Sequence, residues 1–284
     1  MLRVALVTDS SACLTPQLAT LYGIEVVPTE MVFGGRIYRD GVDEPRDFYQ
    51  QLRQATKLPT TSAPAPSAFL EAYQRAAARA ESVLCLTLHP NLSNLHNTSQ
   101  QAVQMALREL PGVRIVSVPC PAVAAGQGLL AIEAGVAAQQ GMGLDELVAY
   151  TAKLAPQVEF FAMVDTLEYL AKGGRVPRAA ALLGDFIHLK PILTANEGKV
   201  YRLSLARSKD NAINKMLRLM EERNPEKRPI RALVMHADAA QEAIRFQAQI
   251  VARFPWELME EVQFTPVMGA HSGPGVLGVA FRVV

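Results

Sequence analysis

Short apolar runs alternate with amphipathic stretches through the first half of the chain, and few folds accommodate that order. Leu2 to Val7, Ser82 to Leu88 and Val113 to Val118 are apolar runs of strand length, as expected of strands buried on both faces. The stretches between them read as helices. One starts at Thr15-Pro16 and stops at Gly23, and others cover Ser67 to Ala80, Asn97 to Glu109 and Val123 to Gln140. Asp43 to Ala55 also reads as a helix, and Ile24 to Phe33, Gly34-Gly35 and Arg36 to Arg39 read as a hairpin. Strand and helix in alternation predict a three-layer α/β/α unit with a mainly parallel sheet. Right-handed crossovers place the strand-following loops on one edge of such a sheet, and ligands bind at that edge. The loops so placed are polar: Thr8-Asp9-Ser10-Ser11 and His89 to His96.

The second half has a different rhythm. Phe160 to Val164, Ile187 to Leu193, Val200 to Leu205, Ile230 to His236, Leu258 to Thr265 and Val276 to Val284 read as strands. Lys209–Glu222 and Ala239–Arg253 are the two long helices among them, and a shorter one starts at Asp165 and ends at Lys172-Gly173-Gly174-Arg175. This predicts an α+β unit with a mixed sheet. The expected division is residues 1–150 and residues 151–284, with the boundary inside Gly141–Pro156.

Composition narrows the function. The 284 residues are 50% apolar and 19% charged, enough for a large core and against disorder. A formal net charge of +1 gives no electrostatic case for nucleic acid. Cys13, Cys85 and Cys120 are widely spaced, which fits neither a disulfide framework nor a metal site. Met1-Leu2-Arg3 runs directly into a strand without a signal peptide, and no apolar run reaches the ~20 residues of a membrane span. A cytoplasmic protein without an integral membrane segment is expected, with no cofactor and no metal.

Three motifs carry chemistry, each with a plain structural reading beside it. Pro59 to Ser67 holds Thr60, Thr61 and Ser62 between prolines, so it is either a stiff linker capped at Ser67 or an extended loop that holds hydroxyls still. His271-Ser272-Gly273-Pro274-Gly275 is a turn, or a donor to an anion if the imidazole faces a cleft. Lys172 to Arg175 is a glycine-ended helix, or a basic loop that meets a partner or a phosphate. Gly273, Gly275 and Gly278 mimic the dinucleotide fingerprint, but no helix can follow so near the end of the sequence. For catalysis, Ser93 with His271 is the nearest arrangement to a serine hydrolase, and no carboxylate is spaced to complete it.

Taken in order, further pieces match one family. They are Val7-Thr8-Asp9-Ser10-Ser11, Tyr22 to Pro28, Phe33-Gly34-Gly35 with Tyr38-Arg39-Asp40, and Thr60 to Pro64. Val164 to Leu170 with Lys172 to Arg175, Leu189 to Leu193, and His271 to Gly275 complete the set. With them the chain resembles, nearly end to end, the DegV family of bacterial fatty-acid-binding proteins. The resemblance implies a long-chain fatty acid such as palmitate, lying in a tunnel between an α/β unit and a smaller α+β unit. It implies that Thr61, Ser93 and His271 hold the carboxylate, with Ser62 and Asn94 as head-group neighbours. It further implies a binding protein rather than an enzyme, serving lipid transport or fatty acid metabolism. Some such proteins present the acyl group to a separate ATP-dependent fatty acid kinase subunit, and Arg175 falls where that partner is met. The chain departs from the family at Ala63, Asn94-Leu95-His96, Pro119-Cys120 and Ala124, so its head-group lining is expected to be thinner. An acyl-handling serine hydrolase, and a diverged module for another small anionic ligand, are the competing readings.

Overall fold

The computed structural model describes residues 2–175 and 189–284. The expected strand over Ile187 to Leu193 therefore begins outside the described residues. In chain order the first half contains β1 (Leu2–Asp9), α1 (Pro16–Leu21), β2 (Ile24–Val27), β3 (Glu30–Phe33) and β4 (Arg36–Arg39). It continues with α2 (Phe48–Gln54), β5 (Thr60–Ser62), α3 (Pro66–Ala77), β6 (Ala80–Leu88), α4 (Leu95–Glu109), β7 (Arg114–Cys120), α5 (Ala125–Gln139) and α6 (Leu144–Leu154). The second half contains β8 (Glu159–Met163), α7 (Glu168–Lys172), β9 (Lys190–Asn196), β10 (Lys199–Ala206), α8 (Lys209–Arg223) and β11 (Ile230–His236). It closes with α9 (Ala240–Val251), β12 (Trp256–Gln263), α10 (Pro266–Ser272) and β13 (Leu277–Val283).

The α/β expectation holds. The first sheet has the order β2-β1-β6-β7 and every pairing in it is parallel. α3 and α4 pack together against it, as do α5 and α6. The second sheet, β10-β9-β8-β13-β11-β12, is mixed, with β11 and β12 the parallel pair. Strand β7 runs through Pro119, where a break was expected; it is an edge strand, and an edge tolerates the missing donor.

A third sheet, β4-β3-β5, was only partly expected. The β3–β4 hairpin is present, with Val32 opposite Ile37. β5 adds to its other side, pairing Thr61 with Met31, so the Thr-Ser stretch is a short antiparallel strand rather than a linker. Ser67 does not cap the next helix: α3 starts at Pro66, and Ala65 occupies the cap position.

Helix α5 lies between the two main sheets, touching β1 on one side and β11 and β13 on the other. It is buried along almost its whole length, as an apolar, small-residue helix must be to serve two layers. Gly128 permits the approach, because a Cβ there would overlap the Ala12 carbonyl. Glu133, 3% exposed, is the acidic residue on this helix. Its carboxylate accepts from Arg231 of β11 and, at 2.7 Å, from Arg282 of β13. One hydrophobic core accordingly contains residues of both halves, among them Leu6, Leu84, Ile132, Leu233 and Ala280. Among the described residues no helix is long and apolar enough to cross a membrane, and no cluster of His, Cys, Asp or Glu is suited to a metal ion.

Candidate functional site

A cavity of about 630 Å³ lies at the carboxyl edge of the first sheet and runs against the second. Its wall is largely aliphatic and aromatic, with Leu88, Leu95, Phe160, Leu193, Val200 and Val276 contributed by both halves. All six residues singled out in the sequence line it: Thr61, Ser62, Ser93, Asn94, Arg175 and His271.

Each is set by its local chemistry. Thr61 is held by the β5–β3 pairing. Ser93 and Asn94 end the loop that leaves β6, and Leu92 and Ser93 fold back so that both N–H groups donate to the His89 carbonyl, at 2.9 and 3.3 Å. The α4 helix begins at Leu95, also on the cavity wall. Its first-turn N–H groups lack intrahelical partners, and its dipole favours an anion at this end. The Asn94-Leu95-His96 departure is thus a loop residue and two helical ones. Leu95 is buried, and His96 turns away to a 3.1 Å contact between its Nδ1 and Thr87 Oγ1.

His271 is not in a turn, as expected, but in the last turn of α10, and the turn proper starts at Gly273 with φ of 77°. Thr265-Pro266 starts this helix as Thr15-Pro16 starts α1, so the strand expected to reach Thr265 stops at Gln263. His271 Nε2 lies 2.8 Å from Thr61 Oγ1. Its Nδ1 is buried, has no hydrogen-bond partner among the described residues, and packs on Gly173, the residue that ends α7. Burial pushes the His271 imidazole down to about 4, and the Arg175 guanidinium adds to the effect. At neutral pH the ring is uncharged, and its Nε2 exchanges a hydrogen bond with the Thr61 hydroxyl.

The remaining candidates differ in freedom. Ser62 Oγ donates to Glu30 at 3.3 Å, and Asn94 Oδ1 accepts from Asn97 at 2.8 Å, so both side chains are engaged at the exposed rim. Arg175 is exposed and donates to the carbonyls of Gly173 and Leu92, at 2.8 and 3.4 Å. His271 engages Thr61 rather than Ser93, and among the described residues its Nδ1 has no carboxylate partner of the kind a serine hydrolase uses.

Two wall residues had weaker sequence signals. Ser11 belongs to the polar cluster after β1, and Thr29 sits between β2 and β3. Behind Ser11 lies the fully buried Asp9. Its carboxylate accepts from the N–H groups of Ser11 and Leu88 at 3.0 and 2.8 Å and from Gln127 at 3.2 Å. Burial raises the Asp9 pKa in spite of these bonds. The Leu88 contact fixes the point at which the Ser93 loop leaves its strand.

A family model described as an uncharacterised protein of the DegV family matches residues 3–283. A DegV domain-containing protein of Streptomyces coelicolor is 34% identical over 280 residues, covering 98% of this chain and 97% of that one. A DegV family protein from Thermus thermophilus, described by its fatty acid binding, has a TM-score of 0.90 at 30% identity and covers 99% of this chain and 100% of its own. DegV of Bacillus subtilis, described as a fatty acid binding protein, has a TM-score of 0.88 at 25% identity, with 100% of both chains covered.

Proposed function

The chain belongs to the DegV family, and from that premise we propose that it is a cytoplasmic carrier that binds one long-chain fatty acid in the 630 Å³ cavity. The observation that carries the reading is the meeting of Thr61 and His271 at 2.8 Å in a cavity whose wall is largely apolar. Burial of an acyl chain contributes roughly 0.8 kcal/mol per CH₂. A carboxylate buried without donors would offset much of that. Hydrogen bonds to a charged group recover roughly 1.5–3 kcal/mol each. Thr61, Ser93 and His271 supply them in this reading, with the first turn of α4 adding its dipole. Ser62 and Asn94 stand at the rim, each occupied by a neighbour.

In such a carrier the acyl group is delivered rather than converted. From the same family resemblance, the receiving partner is an ATP-dependent fatty acid kinase subunit, and exposed Arg175 beside the cavity is the residue placed to meet it. Native mass spectrometry of the protein purified from bacteria tests the central reading, with the mass of a C16–C18 fatty acid as the expected adduct. An empty protein that also fails to take up palmitate after delipidation would sink it. A short polar adduct would favour a different anionic ligand.

A further inference from the structure

Asp40 is 4% exposed, follows β4, and lies 227 residues before the group it serves. Its Oδ1 accepts from the Val267 N–H at 3.2 Å, and its Oδ2 accepts from Thr29 Oγ1 at 3.4 Å. Its own N–H donates to the Thr29 carbonyl at 2.9 Å. Val267 is the second residue of α10. Pro266 before it has no N–H, and Thr265 makes no side-chain cap bond. The start of α10 is therefore capped from another part of the chain, by an acceptor whose charge suits a helix N-terminus.

The far end of the same short helix carries His271, one turn beyond Val267. That end is held by Thr61 on β5. One contact comes from β5 and the other from the residue that follows β4, so the β4-β3-β5 sheet and its flank grip α10 at both ends. Tyr49 presses on its middle, where Gly269 leaves room for the phenol, while the Tyr49 hydroxyl donates to the Phe264 carbonyl at 2.9 Å.

We propose that Asp40 is a positioning residue for the head-group site, fixing the start of α10 and thereby setting where His271 meets Thr61 and the ligand carboxylate. The proposal rests on the reading of Thr61 and His271 as carboxylate donors. It separates head-group recognition from chain burial, since Asp40 does not line the cavity.

The test compares palmitate with hexadecanol, which has the same chain and no carboxylate, on the full-length protein with Asp40→Ala and Asp40→Asn. For Asp40→Ala, palmitate should weaken about tenfold and hexadecanol less than about twofold, the share expected of a displaced donor to a charged group. Asp40→Asn keeps the volume and an acceptor oxygen and should recover most of the palmitate affinity. It also keeps the comparison usable if the alanine variant folds poorly. In the ligand-free protein, the His271 imidazole proton resonances should move in Asp40→Ala and return towards the wild-type position in Asp40→Asn. Equal weakening of palmitate and hexadecanol, or unchanged palmitate affinity with unmoved His271 resonances, overturns the proposal alone. A wild-type protein that binds palmitate no better than hexadecanol overturns the carboxylate reading and this proposal with it.

Discussion

Thr61 and His271 are 210 residues apart in the chain and joined by a 2.8 Å hydrogen bond. In the neutral state of the ring the Thr61 hydroxyl and one imidazole nitrogen satisfy each other. When Nε2–H donates to Thr61 Oγ1, the hydroxyl proton is left for an arriving carboxylate, already oriented by that bond. Thr61→Val keeps the shape and removes the hydroxyl. The loss should be roughly 1.5–3 kcal/mol of palmitate affinity, read by titration calorimetry on delipidated protein. An unchanged affinity would move the head group elsewhere in the cavity.

Stability should respond to pH through two buried groups of opposite sense. The Asp40 carboxyl is raised from 3.8 to about 6, first by burial, with the Glu44 carboxylate adding to it. The folded protein holds its proton where the unfolded chain has lost it, so this contribution is fully present below about 3.8 and lost as pH rises through about 6. His271 is lowered from 6.5 to about 4, so its contribution is present above about 6.5 and lost as pH falls through about 4. Each spans about 3 kcal/mol at 1.36 kcal/mol per unit, and over the shared window they oppose. Relative to wild type, Asp40→Asn should therefore gain stability more steeply from pH 4 to 6.5, and His271→Asn less steeply. Urea unfolding across that range measures both slopes; parallel curves for the three proteins would contradict the assignment.

Removing the Glu133 carboxylate leaves Arg231 and Arg282 facing each other in a nearly dry layer. Glu133→Ala should destabilise the protein by about 3–5 kcal/mol in urea, the loss typical of a broken buried ion pair. A loss below about 1 kcal/mol would mean that water readily replaces the carboxylate.

Gly128→Ala tests the approach of α5 to the Ser10–Ala12 turn. The added methyl group would overlap the Ala12 carbonyl oxygen, which is backbone and cannot swing aside. The expected destabilisation is about 1–3 kcal/mol, with weaker palmitate binding because Ser11 lies in the displaced turn and on the cavity wall. A variant as stable as the parent would show that α5 can shift without loss.

The buried strands of the first sheet were legible because they are bounded, uninterrupted apolar runs. β5 was not, since a three-residue strand between prolines has the composition of a loop and is revealed only by its partner Met31. Helix α10 was hidden because it is short and contains Gly269, although Thr265-Pro266 offered the same start signal as Thr15-Pro16. Asp40 has no local sequence signal for its role, because its partner Val267 is remote in sequence. Thr61, Ser93 and His271 carry no periodic signal at all. Residue chemistry flagged the loops that carry them, family resemblance assigned them to a carboxylate, and the fold places all three on one cavity.

Helix α5 has one more consequence. Because it is interior to both main sheets, and because Glu133 fastens it to β11 and β13, the core around α5 is shared by the two halves, while the other face of the second sheet packs a separate core against α8 and α9. The shared core couples the two architectural styles, because the first half cannot bury α5 alone. A fragment ending near residue 150 would keep α5 but expose the face that β11 and β13 cover, and the complementary fragment would lack the helix that seals its sheet. Heat or denaturant should melt the two sheets together.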